Sequence, residues 1–129
     1  MEKTMFEVGV VAQFEAAHRL RGEFGPATRR HGHTYRVEVA VRGPALRADG
    51  TLCDIGQLQQ AVQDVVSSLH YRDLDELAAF EGRNSTAEVV AQYLFEQIAP
   101  RFTDQGLSVL VARVWESPQA YASFEGALG

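Results

Sequence analysis

Cysteine is nearly absent from this 129-residue chain, and Cys53 is the single one. One thiol excludes an internal disulfide framework and suits a reducing compartment. Long apolar runs are missing as well: none approaches the roughly 18 residues that span a bilayer, so no membrane insertion is expected. The first residues, MEKTMFEVGV, carry neither the basic and apolar stretches nor the cleavage site of a secretory signal, and the expected location is cytoplasmic. Positive charge is scarce. The formal net charge is −5, and no basic cluster stands out in the sequence beyond Arg29-Arg30. Binding of nucleic acid through phosphate neutralisation is therefore not expected. Repeats, low-complexity tracts and linkers are lacking too, which at this length points to one domain over 1–129. What remains is 46% hydrophobic and 22% charged, the composition of an ordinary globular protein.

The apolar residues are arranged with two periods. Phe6, Val8, Val10, Ala12 and Phe14 alternate over 5–14, and Tyr35, Val37, Val39 and Val41 alternate over 34–42, as half-buried strands do. From Asp54, a suitable N-cap, the period becomes helical: Ile55, Leu58, Val62, Val65, Val66 and Leu69 form one stripe. Ser85-Thr86-Ala87-Glu88 fits a capping box for a second helix with Ala87, Val90, Ala91, Leu94 and Ile98 inside, closed by Pro100. Two further strands are expected near 107–116 and 119–125. The order β-β-α-α-β-β predicts an α+β fold, an antiparallel sheet with both helices on one face. The strand over 107–116 is apolar on both sides, so the other sheet face needs cover, and a homo-oligomer is expected.

Three of the four histidines occupy suggestive positions. His31 and His33 flank Gly32, and on a strand that spacing points both imidazoles to one face, shared with Tyr35 and Val37. His18 has the parity of Phe14 if the strand register continues past Glu15. Three neutral imidazoles with an open fourth position are the ligand set of a catalytic zinc site; the other reading is a chance pair at a strand end. Glu116 closes the largely apolar face Leu110, Ala112, Val114. A carboxylate there either reaches water or pairs with a partner, and a guanidine-like heterocycle edge with two parallel N–H donors would pair with it bidentately.

Taken in order, these segments resemble the 6-pyruvoyl-tetrahydropterin synthase family, which includes the 6-carboxy-tetrahydropterin synthases of queuosine and preQ0 biosynthesis. The resemblance rests on FEAAHRL at 14–20, HGHTY at 31–35, CDIGQL at 53–58, NSTAE at 84–88, and WES at 115–117 followed by Tyr121. It implies the T-fold, in which trimers close a barrel of twelve strands and two trimers stack into a hexamer. It also implies zinc on His18, His31 and His33, and a pterin-like small molecule anchored by Glu116. Thr86 and Glu88 match a further pocket segment, although Glu88 fits equally well as the capping partner of Ser85.

The chain departs from the family where protons are moved. Family members place a cysteine four residues before the first histidine of His-Gly-His, and here that position is Ala27. Their Asp-His pair lies in a segment resembling Leu-Asp-His-x-x-Leu-Asn. The matching stretch runs Leu69, His70, Tyr71, Arg72, Asp73, Leu74, Asp75, so without gaps His70 replaces the aspartate and Tyr71 the histidine. A one-residue slip would restore His70 as the histidine at the expense of Leu74. Cys53 is a remote candidate for the lost base. His70 and Tyr71 are the better substitutes, and each also suits an ordinary helix end. Two functions follow from this reading: a family member that holds a pterin without running the ordinary reaction, or a lyase acting on 7,8-dihydroneopterin triphosphate or a related pterin through His70 and Tyr71. A structural oligomer that has lost the pocket ranks last.

Overall fold

The computed structural model describes residues 4–129. Strand β1 (Phe6–His18) and strand β2 (His31–Gly43) form an antiparallel ladder of thirteen consecutive pairs, from Phe6 opposite Gly43 to His18 opposite His31. Both strands run past their alternating apolar stretches, so the expected 5–14 and 34–42 are the middles of longer elements. Helix α1 (Ile55–Leu69) follows, with the Asp54 carboxylate accepting from the backbone N–H groups of Gly56 and Gln57. Helix α2 (Ala87–Ile98) gives way to a short 3-10 turn that contains Pro100. Strands β4 (Val109–Ser117) and β5 (Ala120–Ala127) complete the sheet, and β4 lies beside β2.

A two-residue strand, β3 (Arg72–Asp73), was not expected from the sequence. It pairs parallel with Ala16 and Ala17, so the order is β3-β1-β2-β4-β5 and the sheet is not wholly antiparallel. Two residues carry no readable period, which is why the pattern did not betray it.

Both helices cover one face. Leu58, Val62, Val66 and Leu69 of α1 and Val90, Leu94 and Ile98 of α2 pack on Phe14, Val37, Val39, Leu110 and Val114. The other face is more polar than the apolar run of β4 implies. Arg42 bridges Glu7 at 2.8 Å and Glu125 at 3.1 Å, and Glu38 receives Trp115 Nε1–H at 3.1 Å and approaches Arg36 and Arg113. Val111 is nevertheless buried, between Ala40 and Glu125 across the ladders. Among the described residues, the outer edge of β5 and the outer edge of β1 before Ala16, on the side away from β2, have no strand partner. No helix is long and apolar enough to cross a membrane.

Candidate functional site

The unbroken β1–β2 register carries three imidazoles to one end of the sheet, on the face that the helices cover. His18 is 1% exposed, and His31 and His33 are half-buried. Their ligand-capable nitrogens all lie within 4.8 Å of one another. The rings stand edge-to-face, with centroids 4.6 Å apart for His18–His31, 5.0 Å for His18–His33 and 4.8 Å for His31–His33.

Their hydrogen bonds decide which nitrogen is free. His18 Nδ1 meets the Ser85 carbonyl at 2.8 Å, and His31 Nδ1 meets the Arg29 carbonyl at 2.7 Å. A carbonyl only accepts, so both Nδ1 atoms carry the proton and both Nε2 atoms keep a lone pair. His18 Nε2 is buried and has no hydrogen-bond partner. A buried, unpartnered lone pair beside two further imidazoles fits a cation held by the three rings, two of them oriented through the other nitrogen. Burial pushes His33 below its ordinary value, a shift that the nearby Glu116 carboxylate opposes and the neighbouring His18 and His31 reinforce. The favoured neutral form is the one that ligates metal.

Glu116 continues the helix-side face of β4 and meets Glu88 at a cavity of about 190 Å³, which Ala87 and Tyr121 also line. Thr86 has a different task. It is the N-cap of α2, its hydroxyl accepting from Val89 N–H at 3.3 Å. The capping box expected at Ser85 does not form, because the helix starts one residue later and Ser85 is fully buried against His18 and Asp75. Glu88 is thereby released from capping and faces the cavity.

His70 and Tyr71 lie elsewhere. His70 caps the end of α1, and its Nδ1 accepts from Glu15 N–H at 3.1 Å. Tyr71 adopts φ 58°, an uncommon value for an aromatic residue, while its N–H donates to the Glu15 carbonyl at 2.6 Å. Its ring lies 3.8 Å from that of His70 and is 77% exposed. Tyr71 lines a cavity of about 530 Å³ with Glu15, Ala17, Thr34 and Asp73. Glu15, Ala17 and Thr34 have the strand parity opposite to that of the three metal-site histidines. His33 lines the same cavity, so within one protomer Tyr71 and one of the three histidines border a common space, while His18 and His31 do not line it. His70 Nδ1 is already an acceptor for a backbone donor, so taking up a proton there breaks that bond. Ala27 sits in a 3-10 turn (Gly25–Thr28), where its carbonyl receives Leu20 N–H at 2.9 Å.

Cys53 is 4% exposed, and burial pushes its thiol above the ordinary value. A buried neutral thiol is a poor base and a poor nucleophile. Native protein should leave Cys53 unreacted with Ellman's reagent over the time in which urea-unfolded protein gives one full equivalent of thiolate.

Two features escaped the sequence reading. Loops distant in sequence meet at the histidine end: Arg21 Nη2 donates to the Arg83 carbonyl at 3.4 Å, Arg30 pairs with Asp73 at 2.7 Å, the backbone N–H of Arg19 donates to Asp75 at 2.8 Å, and the Arg29 carbonyl meets His31 Nδ1 at 2.7 Å. Tyr35, read as core, is fully buried with its hydroxyl unpartnered, its ring stacked 4.7 Å from Phe14 and 5.3 Å from His33. The signal was present, since Tyr35 shares the parity of His31 and His33 and carries a polar tip.

A sequence model of the family described as 6-pyruvoyl tetrahydropterin synthase matches residues 7–127. The chain belongs to that family. Among its relatives in the 6-pyruvoyl tetrahydropterin synthase family is a putative 6-carboxy-5,6,7,8-tetrahydropterin synthase of Pyrococcus horikoshii, 28% identical, the match covering 85% of this chain and 83% of that protein. A 6-pyruvoyl tetrahydrobiopterin synthase of Drosophila melanogaster is 33% identical, over 74% of this chain and 58% of that protein. The solved 6-pyruvoyl tetrahydropterin synthase of Caenorhabditis elegans superposes with a TM-score of 0.82 at 26% identity, covering 98% of this chain and 99% of that one. The T-fold that the segments imply is thus the fold of this chain.

Proposed function

We propose that this family member keeps a pterin pocket and a three-histidine metal site but does not run the ordinary synthase reaction. The observation that carries the reading is the separation of functions within the site. Side chains suited to holding a ligand lie together at one end of the sheet, whereas the groups that would move protons are replaced or engaged. Glu116 and Glu88 offer carboxylates to a pyrimidine edge bearing adjacent N–H donors. His18, His31 and His33 would hold zinc, which when bound supplies Lewis-acid polarisation of side-chain oxygens on the ligand. Against turnover stand the Ala27 methyl, which cannot carry a proton, and the Nδ1 of His70, whose lone pair is engaged by Glu15 N–H. Loss of one member of a cooperating set typically removes orders of magnitude in rate.

The other reading, a zinc-dependent lyase on 7,8-dihydroneopterin triphosphate or a related pterin, has one feature in its favour. Tyr71 and His33 line one cavity, which would let the phenol act beside the histidine cluster. Assembly into trimers and a hexamer accords with the two unpartnered sheet edges and with Val11 and Tyr121, both exposed on the uncovered side. We read the chain as one T-fold domain working in the cytoplasm, without nucleic-acid or membrane partners.

The test is turnover. Zinc-supplemented protein incubated with 7,8-dihydroneopterin triphosphate should return the substrate unchanged, with no released triphosphate and no 6-carboxy- or 6-pyruvoyl-tetrahydropterin on chromatography. Conversion within the ordinary enzymatic range, roughly 1 s⁻¹ or faster, would overturn the reading in favour of the lyase.

A further inference from the structure

Two aspartates stand behind the histidines rather than among them. Asp73 and Asp75 flank Leu74, whose fully buried side chain roots this short segment in the core. Asp73 Oδ2 pairs with Arg30, the residue before His31, at 2.7 Å, and Asp73 Oδ1 receives Asp75 N–H at 3.0 Å. Asp75 Oδ2 receives the backbone N–H of Arg19, the residue after His18, at 2.8 Å. Asp75 Oδ1 receives the Ser85 hydroxyl at 2.7 Å. Ser85 in turn faces His18 Nδ1 with two oxygens, its carbonyl at 2.8 Å and its hydroxyl oxygen at 3.3 Å.

The direction of the Ser85 hydroxyl is the point of interest. An ionised carboxylate only accepts, so Asp75 draws the hydroxyl proton to itself and leaves a serine lone pair facing His18. Both oxygens that Ser85 presents are then acceptors, and only the Nδ1–H form of His18 satisfies them. Without the carboxylate, the hydroxyl is free to rotate and donate to Nδ1. That would compete with the carbonyl's preference for Nδ1–H and admit the opposite tautomer, with a proton on Nε2 where the ligand lone pair must be.

We infer that Asp75 is the positioning residue of the histidine site: through Ser85 it fixes the His18 tautomer, and through Arg19 it fixes the strand end that bears His18. The inference rests on the reading of the three histidines as metal ligands. Partners one shell out from a metal are typically worth 10- to 100-fold in affinity. Asp75→Asn, which offers an N–H₂ in place of one oxygen, should raise the zinc dissociation constant by about that factor in competition with a chromophoric chelator, and should alter the visible d–d spectrum of the cobalt-loaded protein.

Ser85→Ala removes the hydroxyl that would donate wrongly while keeping the carbonyl. In that background most of the Asp75→Asn effect should disappear, which is the coupling that a shared hydrogen-bond chain requires. Imidazole ¹⁵N shifts of zinc-free protein give a metal-independent readout: His18 should be wholly Nδ1–H in the wild type and a mixture in Asp75→Asn. Wild-type zinc affinity and cobalt spectrum in folded Asp75→Asn would overturn the inference, as would an undiminished effect in the Ser85→Ala background. Wild-type protein that ignores zinc yet shows the tautomer lock would instead sink the metal reading and leave the Asp75–Ser85–His18 chain standing.

Discussion

His18→Ala raises the zinc dissociation constant by about 100-fold or more, and the same is expected, somewhat less steeply, for His31→Ala. Fully ligated protein zinc sites are worth roughly 10–16 kcal/mol near neutral pH, so one ligand of three or four carries on the order of 3 kcal/mol. His18 should exceed that share. It is the most buried of the trio and its tautomer is held by two oxygens of one serine, so little ordering remains to be done on binding. His31 is tethered only by the Arg29 carbonyl in its own loop and begins with more freedom. Competition titration at pH 7.5, followed on the same samples by thermal melting, separates lost ligation from lost fold. Equal affinities of wild type and His18→Ala would show that the three rings do not hold the metal.

Glu116→Ala weakens binding of an oxidised pterin such as biopterin by about 30-fold or more. Each hydrogen bond to a charged group is worth roughly 1.5–3 kcal/mol, and a heterocycle edge with two parallel donors makes two of them with one carboxylate. Glu116→Gln retains the shape and one acceptor, so it should fall between wild type and alanine. Glu88→Gln, at the other side of the same cavity, reports how far the second carboxylate shares the load. Fluorescence quenching of the pterin gives all four affinities. If wild type and Glu116→Ala bind alike, the pocket is not where the pterin sits.

How far these features were legible depended on whether the information was periodic. The histidine cluster was legible because strand parity is strict: His18 follows Phe14 by four residues and His31 precedes Tyr35 by four, and the ladder between them has no bulge. Asp54 was legible as a cap because a cap is a local event. The start of α2 was misplaced by one residue since Ser85 and Thr86 are equally good caps in sequence. What separated them was tertiary, the burial of Ser85 against His18, for which no local pattern exists. The meeting of Arg21 with Arg83 and Asn84 was invisible for the same reason, since it joins loops far apart in sequence. His70 and Tyr71 show the converse. Their positions suggested chemistry, and what the fold adds is their hydrogen bonding to Glu15 at the edge of β1.

The β1–β2 ladder has a kinetic side. Its connecting loop is short, and the three imidazoles sit on the two strands where they leave that loop, so the ligand set is assembled by a local hairpin and not by distant parts of the chain. Local contacts form before pairings of large sequence separation, because the entropy of closing a small loop is lower. A cation available during synthesis would therefore meet its ligands before β4, which must return from the far end of the chain, has docked on β2. Ser85 arrives with α2, also after the hairpin, so on this folding order the site is first filled loosely and the His18 tautomer is locked only when the helical face closes over it.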